Sequence, residues 1–312
     1  MNSIVCICYQ LAAVLLVTAG SDALGQDPAA EKTAESQVLR DAQVRLAAFN
    51  VLFGNWADPE RVGEMFQPYE LDVIGFSEVP DGDWTVRVGA VLGMEYAYVG
   101  KISSANHPDK YKSILSRTPL TNTHEIRLNV EGWSPASVVG AETQVREIPL
   151  LVYSTHIPGR PYFTDSADGS AGEFIAESVI PTSKNSNLVI LGDLNSHLGD
   201  APLKRIEANG MQSMWVELGI DTTRLSTHKH IESGTESGVI DHIYYSAASR
   251  AKAVEGGVIY NAFNSVGEDK QMPKYRVEWE QYGKPLSDHR PIWVILNFSS
   301  IAESNAENEI GE

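Results

Sequence analysis

The sequence predicts a layered α/β fold with mixed β-sheets. Three observations carry this: a strand, helix, strand, helix succession between residues 44 and 94, then short β-like runs divided by turn residues, then an apolar run with a polar tip. The first indicates strands covered by helices, and the second indicates antiparallel pairing. The third, Leu188 to Leu191 followed by Gly192, Asp193, Leu194 and Asn195, reads as a buried central strand. Buried strands of α/β proteins deliver polar groups at their carboxyl ends. Periodicity alone leaves the number of sheets open between a two-layer and a four-layer arrangement.

Residues 44 to 53 form the first expected strand, with Asn50 polar among apolar neighbours. Asp58 followed by Pro59 pairs an N-cap residue with proline at the first helical position, so a helix starts there and runs to about Tyr69. Residues 71 to 79 are the next strand, which brings Glu78 to its end before a Pro-Asp-Gly turn, and a second helix is predicted over 83–94. β-like runs follow at 96–101, 112–116, 121–128, 137–145 and 148–155. Helical pattern returns at 173–179 and 200–208, on either side of the Asp193 strand, and the last predicted strands are 239–245 and 291–297. No internal repeat is visible.

The ends differ in composition from this middle. Residues 1–25 carry an apolar run, Leu11 to Val17, then Ala23, Leu24 and Gly25, the small-residue pattern a signal peptidase reads. No Lys or Arg precedes the run, a departure from the usual pattern. The apolar stretch is shorter than the roughly 20 residues that span a bilayer. Export to the periplasm or the medium is therefore expected, without stable membrane insertion. Cys6 and Cys8 would leave with the signal, so the mature chain would have no thiol or disulfide and would rest on its core. Residues 26–43 read as a flexible linker, 44–298 as one domain, expected to be monomeric, and 299–312 as an acidic disordered tail.

With 43% apolar and 21% charged residues, the composition is that of a soluble globular protein. The formal charge is -17, or -16 once Asp22 departs with the signal. Such a protein gains nothing from bulk attraction to nucleic acid or anionic lipid. A phosphate-bearing substrate would need local cations or a bound metal.

Asp193 and Asn195 lie two residues apart at a strand tip, where a carboxylate and an amide can converge on one target. The carboxylate can take a proton from water, and the amide can hold that water or an oxyanion. The same residues are also turn formers, and a plain turn reads equally well. Polar residues recur at the ends of other predicted strands: Asn50, Glu78, His156, Asp241, Asp288 and His289. Singly, Glu78 reads as a solvated strand terminus, His156 as a satisfied core histidine and Asp288 as an N-cap or Asx turn. Together, carboxylates and an amide without cysteine make a hard oxygen site suited to Mg²⁺ or Mn²⁺, with histidines placed to act on phosphate oxygens. Phosphoester hydrolysis requires that combination.

Seven blocks in order resemble the endonuclease/exonuclease/phosphatase superfamily, which includes deoxyribonuclease I, exonuclease III, the inositol polyphosphate 5-phosphatases and bacterial sphingomyelinases. They are AFNV at 48–51, GFSE at 75–78, ILSR at 114–117, STH at 154–156, GDLN at 192–195, IDHI at 240–243 and SDHRP at 287–291. The resemblance implies a four-layer α/β sandwich, two packed mixed β-sheets flanked by helices. It also implies roles: Glu78 as principal metal ligand, with Asn50 beside it and Asp288 as a further ligand or outer partner. Asp193 would align or deprotonate the attacking water, and Asn195 would hold the nucleophile or a phosphate oxygen. His289 would face the scissile phosphate, Asp241 would bind its other nitrogen, and His156 would be a second phosphate-facing histidine.

Departures accompany the matches. Ser77 stands where the family commonly has Gln, so a supporting hydrogen bond is expected to be missing or replaced by water. Lys112 reads either as a phosphate cation or as an exposed strand-edge lysine, and Arg117 either touches phosphate or caps its strand. His156 leans away from the abasic-site endonuclease branch, and the short interval from Glu78 to Arg117 leaves little chain for a DNA-gripping loop. Trp133 and residues 161–163 are candidates for a lipid-entry surface or for core. The leading reading is an exported, divalent-metal-dependent phosphoester hydrolase acting on a small molecule, a lipid headgroup or a nucleic acid. The alternatives are a secreted endonuclease cleaving DNA or RNA, disfavoured by the net charge, and a catalytically inactive binding protein on the same fold. The last is opposed by the presence of every expected acid, amide and histidine.

Overall fold

The central strands are apolar on both faces, which places them inside a stack of layers. In β1 (Gln43–Asn50), Leu46 and Ala48 join a core shared by two sheets, while Ala47 and Phe49 join a second core on the opposite face. In β8 (Asn187–Asp193), Val189 and Leu191 enter the shared core and Leu188 and Ile190 point away from it. The computed structural model describes residues 42–54, 56–80, 82–128, 135–159, 171–183, 187–230, 234–259 and 286–298. These lie in one unit, Leu39–Glu312. The expected signal peptide, almost all of the linker, the acidic tail, Trp133 and residues 161–163 fall outside the described residues.

The first sheet contains β1 together with β2 (Val73–Val79), β3 (Tyr96–Val99), β4 (Tyr111–Ser116), β13 (Lys252–Val258) and β14 (Ile292–Asn297), in the order β13-β14-β1-β2-β4-β3. The second contains β5 (Thr121–Leu128), β6 (Ala136–Val145), β7 (Ile148–His156), β8, β9 (Met211–Ser213) and β12 (Asp241–Ser246), in the order β5-β6-β7-β8-β12-β9. Each is mixed: β1 pairs β2 in parallel and β7 pairs β8 in parallel, and the remaining neighbours are antiparallel. A separate ribbon joins β10 (His228–Lys229) to β11 (Glu236–Gly238).

Helices cover both outer faces. α1 (Pro59–Phe66) and α2 (Trp84–Leu92) pack Val62, Phe66, Trp84 and Val88 over the first sheet, where Phe76 meets Phe66 and Trp84 edge-on. Asp58 caps α1 as its sequence predicts, accepting the Glu60 and Arg61 amides. α3 (Ala171–Phe174), continued by a π-turn at Ile175–Val179, and α4 (Ala201–Ala208) lay Ile175, Val179, Leu203 and Ile206 over the second sheet. The result is the four-layer sandwich, helices, sheet, sheet, helices. The sequence reading misses β13, whose KAVEGGV segment has two glycines and two charges; its pairing with β14 at the sheet edge makes it a strand.

The topology brings the useful residues to one rim. β1 and β2 run in parallel, as do β7 and β8, so Asn50, Glu78, His156 and Asp193 all stand at carboxyl ends. In register, His156 lies opposite Asp193 and Asp241 lies opposite Asp193 from the other side. Gly192 permits this approach: its φ is +137°, and a Cβ there would sit 2.1 Å from the Thr155 carbonyl oxygen.

Candidate active site

Asp193 is the centre of the site and is almost completely buried. Its Oδ1 accepts the Asn195 backbone amide at 2.9 Å, and its Oδ2 accepts Asn50 Nδ2 at 3.0 Å. The turn and the site are thus the same structure. Asn195, at φ +46°, does not continue the strand; its side-chain amide donates to the Ile157 carbonyl at 2.9 Å. The Asp193 Oδ2 atom also lies 3.5 Å from His156 Nε2 and 3.6 Å from His289 Nε2. Two histidines and an amide therefore converge on one carboxylate oxygen.

His289 is held from behind. Its Nδ1 lies 2.9 Å from Asp241 Oδ2, which fixes the ring and leaves Nε2 facing Asp193. Its backbone amide donates to Ser287 Oγ, and that hydroxyl donates to the Asn50 carbonyl, so the last segment is stitched to the end of β1. Arg290 next to it forms a buried bidentate pair with Glu236 at 2.8 and 2.9 Å, clamping the β10–β11 ribbon over this segment. The ribbon adds His228, whose ring centroid is 4.7 Å from that of His289.

Glu78, at φ +54°, is buried with its Oε1 3.7 Å from His156 Nε2 and 3.4 Å from Lys110 Nζ. Its Oε2 has no hydrogen-bond partner among the described residues, and neither does Asp241 Oδ1. A buried carboxylate oxygen without a donor is costly unless a cation satisfies it. Glu78 therefore fits a metal ligand. Asp288 directs Oδ2 toward His228 Nε2, at 3.6 Å, and its charge still reaches Glu78, whose protonation it favours. His228, Asp288 and His289 form one metal-capable set, and Asp193, Asp241 and His289 another.

The electrostatics separate the roles. Burial pushes Asp193 up to about 7; the His289 charge pulls against this and Asp241 reinforces it. Burial opposes charge on His289 too, but Asp241 and Asp193 overcome it and hold the imidazolium up to about 10. His156 falls well below its ordinary range through burial, with Lys110 and Lys112 adding to the shift, and is a neutral ring at neutral pH. Glu78 is raised, by burial first, against the pull of Lys110. The site thus presents one charged histidine and one neutral one on either side of a carboxylate that titrates near neutrality. Such an arrangement can take a proton from water at Asp193 and give a hydrogen bond or proton from His289.

Two sequence expectations, for Lys112 and Arg117, are corrected. Lys112 is neither exposed nor a phosphate cation: it is fully buried, its ammonium donates to the Ile102 carbonyl at 3.0 Å and Ser104 Oγ at 3.1 Å, and burial lowers it to about 8. Ser77 makes a different bond from the one expected to be missing: its hydroxyl donates to the Thr155 carbonyl at 2.9 Å and ties the two sheets together, while Glu78 Oε2 has no partner among the described residues. Arg117 follows the far end of β4, where Ser116 pairs with Val73, and donates to the carbonyls of Leu71, Leu92 and Gly93. It belongs to the opposite rim from Glu78. Arg117→Ala is expected to lower stability by about 1 to 2 kcal/mol through these lost bonds, read by thermal melting, with kcat/KM unchanged. A large fall in turnover at unchanged stability would return Arg117 to the site.

Two residues escape the sequence reading. Lys110 sits in a His-Pro-Asp-Lys stretch that reads as a surface loop, and His228 lies in an aperiodic segment whose His-Lys-His spacing was the one available signal.

Solved structures with this fold include a D. rerio TDP2 complexed with single-strand DNA product (13% identity, TM-score 0.58, 82% of this chain and 99% of that one). They also include an endonuclease/exonuclease/phosphatase family protein from Bacteroides thetaiotaomicron (15%, TM-score 0.61, 82% and 95%) and a mannosyl-6-phosphatase from the same organism (16%, TM-score 0.59, 82% and 100%). None of the curated proteins is significantly similar in sequence. The model of the Endonuclease/Exonuclease/phosphatase family matches residues 47–289, a span that runs from β1 to His289 and takes in the first six blocks above and the opening Ser287, Asp288 and His289 of the last. With the sandwich and the rim already described, this chain belongs to that family of divalent-metal-dependent phosphoric ester hydrolases.

Proposed function

We propose that this chain is an exported hydrolase of small phosphate esters, with Asp193 as the base for water and His289 as the charged donor to a phosphate oxygen. The observation that carries this reading is the placement of Asp193 Oδ2 within 3.6 Å of His289 Nε2, with Asp241 locking the opposite ring nitrogen. Asn50 orients the base through one carboxylate oxygen, and the Asn195 backbone amide holds the other. Neutral His156 contacts both Glu78 and Asp193, and can donate or accept a hydrogen bond without adding charge. Glu78, with Asn50 and Asp288 near it, would hold Mg²⁺ or Mn²⁺. That ion supplies positive charge against the charge developing on the phosphate.

Preference for a small ester over nucleic acid rests on the net charge of -17. The fold it shares with a mannosyl-6-phosphatase supports a phosphorylated sugar among the candidates. A nuclease is the competing reading, supported by the fold shared with TDP2. Export rests on the amino-terminal apolar run; no helix among the described residues is long and apolar enough to cross a membrane.

The test compares Mg²⁺-dependent turnover of supercoiled plasmid, an aryl phosphodiester and a hexose 6-phosphate, with Asp193→Asn as control. Turnover of a small ester by wild type alone, hardly altered by salt, is the expected result. Plasmid nicking whose rate falls steeply with salt would make the protein a nuclease.

A further inference from the structure

Lys110 approaches Glu78 from the segment between β3 and β4, and this segment is unusually well held. Glu125 accepts the amides of Lys101 and Ile102, buried Lys112 binds Ile102 O and Ser104 Oγ, and Ser103 Oγ accepts the Lys110 amide. Ala105 and Asn106 are kept at φ +53° and +56° within it. Across from it, Leu52 and Phe53 are also left-handed, at +46° and +59°. Non-glycine residues at such angles store strain. The two segments meet at Phe53: its ring stacks on His107 at 4.2 Å, and the Lys110 ammonium lies 4.8 Å from its centroid.

Two neighbours of different kinds stand beside the ammonium. One is Glu78 Oε1 at 3.4 Å, longer than the roughly 2.7–2.9 Å of a tight charge-assisted hydrogen bond. The other is the Phe53 face, which attracts a cation wherever the carboxylate charge is engaged elsewhere. Glu78 Oε2 meanwhile has no partner among the described residues. A monovalent cation thus serves one oxygen of a carboxylate whose other oxygen awaits one.

We infer that Lys110 is an exchangeable counter-ion of Glu78, neutralising it before a divalent cation binds and turning to a phosphate oxygen of the substrate once that cation is in place. The inference rests on the proposed metal-dependent phosphoester chemistry. The physical reason is repulsion: an ammonium and a divalent cation cannot share one carboxylate at contact distance without cost, and the phosphate offers the displaced charge a new partner. Phe53 keeps the side chain at the site during the exchange. Lys110 thereby supplies the local cation that a protein this acidic needs to bind an anionic substrate.

The test measures Mn²⁺ binding to the full chain, then inorganic phosphate binding at saturating Mn²⁺, in wild type, Lys110→Met, Lys110→Gln and Lys110→Arg, with melting curves to confirm folding. Both neutral variants are expected to bind Mn²⁺ about tenfold more tightly and phosphate about tenfold more weakly, the effect of one well-placed charge. Lys110→Arg should stay near wild type in both. Unchanged or weaker Mn²⁺ binding, or unchanged phosphate binding, in the neutral variants overturns the inference alone. Wild type that binds no Mn²⁺, or Glu78→Gln that binds it undiminished, overturns the metal-site reading and this inference with it.

Discussion

Replacing Asp193 by Asn is expected to lower kcat by about 10² to 10³, the range for loss of one preorganised group that acts in the transition state. The substitution keeps the shape of the side chain and an acceptor for the Asn195 amide, but removes the base and the charge facing His289. Folding should survive. Asp193 titrates near 7 in the fold against an ordinary 3.8, so its ionisation is less favourable in the folded state than in the unfolded one. That penalty grows as pH rises from about 4 and is complete above about 7, and an asparagine escapes it. The variant also gives up the Asn50 bond and the attraction for the His289 charge, which offsets that gain, so its melting point at pH 8 should stay close to that of wild type. A folded variant that turns over substrate at the normal rate would remove Asp193 from its role.

The second large effect is expected at His289. His289→Ala should lower kcat by about 10² to 10³ and should also change the shape of the pH profile. In wild type the base must be ionised, so the rate rises as pH passes about 7, and the donor must be protonated, so the rate falls as pH passes about 10. Removing His289 should abolish the alkaline limb; removing Asp193 should abolish the acid one. The sign for stability follows from the same shift. A histidine raised above its ordinary 6.5 contributes stability that is fully present below that value and is lost as pH rises through about 10. A His289→Ala profile that keeps its alkaline limb would place the titrating group elsewhere.

These expectations differ in where they come from. The apolar strands, the cap at Asp58 and the polar tips at Glu78 and Asp193 are local patterns, readable because alternation and turn chemistry act over a few residues. The family blocks were equally legible, since each is a short contiguous string. Lys112 and Arg117 were not. Lys112 lies near the start of β4 and Arg117 just past its end, yet Lys112 is drawn inward by the Ile102 carbonyl and Ser104, and Arg117 serves the opposite rim. Alternation says which face a residue takes but not which end of a sheet becomes the site.

By itself, then, the chain dictated its layered α/β class, its central strands and the chemical types gathered at their ends. Tertiary structure alone decided that Asp193 would meet His289 from a distant segment of the chain, that Lys110 would stand beside Glu78, and that the β10–β11 ribbon would be clasped by Arg290. The physical reason is range. Propensity, capping and periodicity act between neighbours in sequence, whereas burial, register and charge pairing act between neighbours in space, and only packing two sheets face to face makes those neighbours.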